Sequence, residues 1–306
     1  GVHFFQFGQW GEYVATNMKV TDCGCFGDFL KLEPRISFFK DLVLLLPAVL
    51  FVAMPGKMHQ LFSRTGRWGF IALATAGLTV YCLSNFVWDL PHTDFRPFKE
   101  GVNIRERKAL EEEAQINVEI LAYRMTNKET GRVVELPYEQ YLKEFKQYPK
   151  EEWELEQVKS EPEVPRTKIS DFEVSDLENN DVTADILSIS GYHFMVVAHK
   201  LYGAAGDWNP DYLHTWTDHV NPVVKAADQT GLPVYAVTAF ADPARIDDFR
   251  HATQSAYPFL QADDILLKTI VRSNPGIVLI KDGEIIKKWH HKQLPAFSEI
   301  EAKYLQ

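Results

Sequence analysis

Two cysteines separated by a single glycine, Cys23-Gly24-Cys25, are the residues of this chain best suited to covalent chemistry. In an oxidising compartment such a pair can close a small-ring disulfide that ordinary disulfide geometry disfavours. A strained, accessible disulfide suits exchange with another thiol better than it suits stapling a fold. Gly24 and Gly27 would leave room for an attacking thiolate. Two other readings stand beside it: the pair fixes a tight turn, or each cysteine bonds to a cysteine outside this sequence. Metal binding is not expected, because no histidine or further cysteine lies near enough to complete a zinc set.

The apolar segments after that pair decide which compartment it occupies. Ser37 to Met54 and Trp68 to Trp88 are apolar spans. The second carries no charged side chain and, at ~1.5 Å per residue, can cross a ~30 Å hydrocarbon core. The first contains Pro47, with Lys40 and Asp41 near its start, and is read as spanning too. Between them, Pro55 to Arg67 holds Lys57, Arg64 and Arg67 and no acidic residue, which places this connection in the cytoplasm. Both flanks then face the opposite side, in a bacterium the periplasm, with the chain in the inner membrane. Cys82 lies in the second span roughly two turns from its outer end; it is a packing residue or a relay for the Cys23/Cys25 pair. Two helices pack poorly alone, so further integral helices or subunits are expected as partners, together with the lipid bilayer.

The totals exclude one class. A net charge of -10, with no basic cluster outside the short loop, argues against nucleic acid. The opening at Gly1, without a basic region and apolar stretch before a cleavage site, reads as the later part of a longer chain. Gly1 to Lys19, with Phe4, Phe5, Phe7, Trp10 and Tyr13, reads as an interfacial aromatic segment or a packed loop.

The chain divides into four regions: residues 1–36 with the CGC loop, 37–100 with the two spans and the exit from the bilayer, 101–166 as a mixed arm and linker, and 167–306 as a soluble α/β domain. In the exit, Asp94, Arg96 and Lys99 read as interfacial anchors, with a headgroup or quinone-mouth site as the alternative. Ala114 to Arg124 and Val133 to Leu136 flank the turn-forming Asn127 to Gly131 and predict a hairpin, followed by a helix at Tyr138 to Phe145. Lys150 to Arg166 is acidic and proline-punctuated, a linker with at most one edge strand.

From Lys168 onward strands alternate with helices. Phe194 to Ala198 and Val234 to Phe240 are short apolar runs fit for buried strands; Asp211 to Ala227 and Pro243 to Ala252 have helical spacing. Ile277 to Ile280 and Glu284 to Trp289 flank an Asp282-Gly283 turn and form an antiparallel hairpin. A βαβ unit followed by a β-hairpin is the thioredoxin plan. Where that fold carries its redox pair, this chain reads Tyr202-Gly203-Ala204-Ala205-Gly206, with no cysteine. Its second landmark, a proline before the hairpin strand and usually cis, is matched by Asn274-Pro275. Asn274, Pro275, Tyr202 and Gly203 are therefore the candidate edge for an extended client segment. His193, His199, His214, His219, His290 and His291 are scattered rather than spaced for a metal, and Trp208, Trp216 and Trp289 read as core or rim aromatics.

Thr21 to Asp41 running directly into an apolar helix resembles the DoxX/MauE-like membrane proteins. Asp94 to Gly101 and Arg272 to His290 resemble the Bacteroidetes form that carries a periplasmic thioredoxin-like domain. The resemblance implies a four-helix membrane domain, of which this sequence supplies the last two helices. It also implies disulfide formation in the periplasm, as in maturation of a quinone-containing dehydrogenase, carried here by Cys23 and Cys25 alone, with a membrane quinone as the acceptor. The rival expectation is a non-enzymatic membrane subunit or scaffold of a cell-envelope or secretion complex.

Overall fold

The computed structural model describes residues 34–54 and 63–305. The Cys23/Cys25 pair, the aromatic segment before it and the middle of the short basic loop lie outside those residues.

Two long helices lead, α1 (Pro34–Ala53) and α2 (Arg64–Phe86). Each starts earlier than the apolar runs predict. Pro34 fits a first turn, where its missing N–H is not needed, and Ser63 caps α2 by accepting from the Gly66 N–H at 3.2 Å. Arg64 and Arg67, expected in the loop, therefore belong to the first turn of α2. Both helices are long and apolar enough to cross a membrane, and most of their apolar side chains point outward, Leu46 and Leu73 among them. Asn85 ends α2: its Nδ2 donates to the Tyr81 carbonyl at 2.9 Å and its Oδ1 accepts from the His92 N–H at 3.0 Å.

A helix that the apolar spacing did not reveal follows, α3 (Ile104–Ile116), capped by Asn103. Ala114 to Ile116, expected to open a strand, finish this helix instead. Its buried face consists of Ile104, Ala114 and a glutamate, so no apolar stripe announces it. That glutamate, Glu111, is fully buried and accepts from Arg107 Nε at 2.6 Å, the Thr167 N–H at 2.8 Å, Thr167 Oγ1 at 2.7 Å and Ser170 Oγ at 2.5 Å. Burial alone would raise its pKa; the donors from Ser170, Thr167 and Arg107 override this and hold it below the usual glutamate range.

The hairpin is present as β1 (Ile120–Asn127) and β2 (Val133–Pro137), followed by α4 (Tyr138–Glu144). The expected edge strand is β3 (Trp153–Lys159), which pairs with β1 to complete an antiparallel sheet of order β2-β1-β3.

After α5 (Thr183–Ser188), the larger sheet is built from β4 (Tyr192–Ala198), β7 (Val234–Ala239), β8 (Phe259–Ala262), β9 (Gly276–Lys281) and β10 (Glu284–His290). A two-residue ladder, β5 (Gly203–Ala204) with β6 (Asp207–Trp208), lies between β4 and the next helix. The order is β10-β9-β4-β7-β8, with β4, β7 and β8 parallel and β9 antiparallel to both of its neighbours. Phe194 stands opposite Leu279 and Val196 opposite Ile277, the neighbourhood expected for these two runs.

The sheet is covered on both faces, which is why β4 is apolar throughout. Phe194, Val196 and Ala198 face Trp216 and Phe249; Met195 and Val197 face Phe172, Leu267 and Ile270. The helix predicted at Asp211 to Ala227 forms in three pieces: α6 (Pro210–His214), a π-helical turn (Thr215–Val220) and α7 (Asn221–Gln229). Pro222 cannot donate to the preceding turn, and the Asn221 N–H instead reaches the Trp216 carbonyl. The predicted second helix is α8 (Pro243–Thr253). Strand β8 and helix α9 (Asp264–Ile270), which the sequence pattern does not announce, are inserted before β9; four residues containing a glutamine are too short to show a period. The terminal helix is α10 (Phe297–Tyr304). A βαβ unit closed by an antiparallel hairpin and a final helix is a thioredoxin-like α/β domain.

Candidate functional site

The described thiol, Cys82, is exposed near the end of α2. Because α2 stops at Phe86 rather than Trp88, it lies about one turn from that end, not two.

The candidate edge is formed where β4 ends and β9 begins. The Asn274-Pro275 peptide is cis. Asn274 Nδ2 donates to the Lys200 carbonyl at 2.7 Å, and Tyr212 OH donates to the same oxygen at 3.0 Å. The Lys200 N–H returns a bond to Asn274 Oδ1 at 3.4 Å. Thus Asn274 meets the start of the loop at Lys200, two residues before Tyr202. Tyr202 stands at the surface, edge-on to Tyr212 at 5.1 Å.

The loop that replaces a cysteine pair is tied down from α8. Arg245 Nη2 donates to the Leu201 carbonyl at 2.9 Å and the Gly203 carbonyl at 2.7 Å. Asp248 Oδ2 accepts from the Gly206 N–H at 3.0 Å and Trp208 Nε1 at 2.6 Å. The Trp208 bond, then that of Gly206, holds the Asp248 carboxyl below the usual aspartate range. Gly203 has φ +113°, and a Cβ there would fall 2.6 Å from Trp208 Cα, so only glycine fits. The loop, Tyr202 to Gly206, carries no cysteine. Its donors and acceptors keep a tight ladder in place instead.

Beneath Pro275, Ser273 Oγ donates to the Pro275 carbonyl at 2.5 Å and lies 3.0 Å from His291 Nδ1. Burial, with His290 alongside, pushes His291 down to about 4, so its ring is neutral at pH 7. The next residues reach α2: Lys292 Nζ donates to the Val87 carbonyl at 3.1 Å and Gln293 Nε2 to the Trp88 carbonyl at 3.2 Å. The candidate edge is therefore one residue removed from a contact with the end of the second apolar helix. Nothing in the local pattern of HHKQ announces this.

A second attachment corrects the reading of Asp94 and Arg96 as interfacial anchors. Both are drawn into the thioredoxin-like half. Lys288, on β10, donates to Asp94 Oδ2, to the Phe98 carbonyl at 2.6 Å and to the Ile270 carbonyl at 3.0 Å. Arg96 Nε and Nη2 donate to Asp94 at 2.8 and 3.0 Å, and its Nη1 to the Lys268 carbonyl at 3.0 Å. Burial opposes the charge on Asp94, but Arg96 and Lys288 together hold its pKa below the usual range. For Lys288 burial wins and lowers the pKa, against the pull of Asp94. A register shift between Ile285 and Lys287 puts this lysine inside: Ile285 and Lys288, three residues apart, both fall on the face shared by Ile280 and Val278.

The histidines form no metal cluster with Cys, Asp or Glu among the described residues. His193 is buried and lies 5.8 Å from the Tyr235 ring, with Nδ1 unpartnered among the described residues. Trp208, Trp216 and Trp289 are core aromatics. A cavity of about 620 Å³ lies beside the exit, lined by His92, Asp94, Glu100, Lys287 and Lys288 together with Leu90, Pro91 and Trp289.

No family model matches the chain, and no curated protein matches it. Solved structures do. A thiol:disulfide interchange protein from Bacteroides sp. is 15% identical, with 44% of this chain and 84% of that one covered and a TM-score of 0.32. The thioredoxin domain of a thiol-disulfide oxidoreductase from Bacteroides vulgatus is 17% identical, covering 44% and 93%, with a TM-score of 0.31. A thioredoxin-like protein from Aeropyrum pernix is 12% identical, covering 43% and 86%, with a TM-score of 0.32.

Proposed function

We propose that this chain is an inner-membrane protein of the DoxX/MauE-like type that handles thiol–disulfide exchange at the periplasmic face. Cys23 and Cys25 are the reacting pair. The cysteine-free thioredoxin-like domain holds the client at Asn274, Pro275, Tyr202 and Gly203. The observation that carries the reading is the division of labour at the edge: the loop is pinned by Arg245 and Asp248, while Asn274 ties down its start at Lys200, beside the His291–Lys292 link to α2. Among the described residues no hydrogen bond reaches the Asn274 backbone N–H or carbonyl, so an extended segment has groups to pair with.

In the exchange, a client thiolate attacks the Cys23–Cys25 disulfide and a mixed disulfide forms as one cysteine thiolate leaves. A second client thiolate then attacks the mixed disulfide, so the client gains a disulfide and the pair becomes a dithiol. The electrons pass on to an acceptor in the membrane, for which a quinone is the proposed class. The exchange itself balances without it. Alkylation after graded reduction tests the first step: Cys23 and Cys25 are expected to be oxidised in periplasm-facing preparations. Pair cysteines that stay reduced there, or a Cys23→Ser/Cys25→Ser variant that leaves client disulfides unchanged, would refute the exchange. Reporters placed near Gln60 and after Gln306 should read cytoplasmic and periplasmic.

The absence of any cysteine after Cys82 favours a second reading, a non-catalytic subunit of an envelope or secretion complex. A stoichiometric complex that survives loss of both cysteines supports it; mixed disulfides trapped by one single-cysteine variant support the exchange.

A further inference from the structure

The segment that leaves α2 also walls a cavity of about 740 Å³, within the size range of small-molecule sites. Five cations line it: Arg96 and Lys99 from the exit, Arg107 from α3, and Arg166 and Lys168 from the stretch beyond β3. Asp171 is the acidic side chain among its lining residues. This concentration runs against a chain whose net charge is -10.

The counter-charges are shared rather than matched. Asp171 serves both Arg166 and Lys168, each at 2.8 Å. Asp94 is divided between Arg96 and Lys288. Arg107 has Glu111 at 2.6 Å. Lys99 has no carboxylate within ion-pair distance among the described residues. The cavity thus holds an excess of positive charge.

Donors remain as well. Arg107 commits Nε and Nη2, to Glu111 and the Pro165 carbonyl, and keeps Nη1; Arg166 commits Nη2 to Asp171 and keeps the rest of its fork. Two guanidinium groups and two ammonium groups, coming from three separate segments, suit an anion with three oxygens and up to two charges better than a planar monocarboxylate.

We propose that this cavity binds a phosphate-bearing ligand. Phe95, which lines the cavity and is 55% exposed, allows the phosphate to belong to a lipid headgroup as well as to a free phosphorylated molecule. The inference is independent of the thiol chemistry.

The test uses the full chain purified in a non-ionic detergent. Pyrophosphate is titrated by calorimetry at low salt, then again with short-chain phosphatidic acid or phosphatidylcholine as competitor. The variant Lys99→Gln/Arg166→Gln/Lys168→Gln changes only exposed side chains, and Lys225→Gln/Lys303→Gln controls for charge elsewhere. Saturable binding is expected, weakened about tenfold or more in the triple variant and unchanged in the control. Competition by phosphatidic acid but not phosphatidylcholine assigns the phosphate to a headgroup; absence of competition assigns it to a free ligand. No saturable pyrophosphate binding, or equal binding by the triple variant, would overturn the proposal.

Discussion

Strands β10 and β1 each carry a basic residue in an ion pair, Lys288 and Arg124, and the two sheets put them in opposite surroundings. Lys288 has a side chain 3% exposed and lies against Asp94, Phe98 and Ile270; Arg124 is 41% exposed and reaches Glu135 and Glu156 across the neighbouring strands. The larger sheet is covered on both faces, so a charge that enters must bring its partners. The smaller sheet leaves one face to water, where an ion pair adds little. The buried cluster joins the exit of α2 to the domain that carries the candidate edge, whereas the exposed one decorates an arm. Burial, not the presence of an ion pair, separates a structural joint from a surface feature.

The largest effect should come from breaking the buried joint. Asp94→Ala leaves the Lys288 ammonium without its carboxylate and should destabilise the fold by about 3–5 kcal/mol in chemical denaturation. Adding Lys288→Met should recover much of this, since it removes the orphaned charge; a double variant as unstable as the single one would show that packing, not charge, holds the joint.

Next comes acid sensitivity of the covered sheet. Burial depresses His193 from its ordinary 6.5 to about 4. Below the ordinary value the unfolded chain binds a proton that the folded chain refuses. Stability is then full above about pH 6.5, falls as pH drops toward about 4, and levels off below. The share from His193 is on the order of 3 kcal/mol. His291 titrates in the same sense, so His193→Phe should flatten the pH dependence without abolishing it, as unfolding curves between pH 7 and 4 would show.

A smaller, local effect is expected at the pinned loop. Asp248→Ala removes the acceptor shared by Gly206 and Trp208, and should speed exchange of the Gly206 amide roughly tenfold while the β4 amides stay protected. Equal loosening throughout β4 would mean that the clamp supports the whole sheet.

The smallest effect should be at Arg124. Arg124→Ala should change stability by less than about 1 kcal/mol, and less again at high salt. A loss as large as that of Asp94→Ala would erase the contrast between the sheets.

What local sequence settled was whatever a short window can hold. Two apolar runs became α1 and α2, apolar runs bounded by turns became β4, β7 and β9, and the turn at Asp282-Gly283, with φ of 51° and 86°, joined β9 to β10 as its residue types require. The contacts that give the candidate edge its surroundings are of another kind. Helix α3 hid because its buried face holds Glu111, whose donors come from residues 167 and 170. Strict alternation from Ile285 would turn Lys288 outward; a bulge at Ile286 turns it inward toward Asp94, 194 positions away in the chain. The clamp of Arg245 and Asp248 on the loop, and the reach of Lys292 to the end of α2, likewise join residues far apart in sequence. Backbone period and turn chemistry act over a few residues, so they can be read along the chain; the partner of a buried charge is chosen only when distant segments pack, and only the tertiary structure decided it.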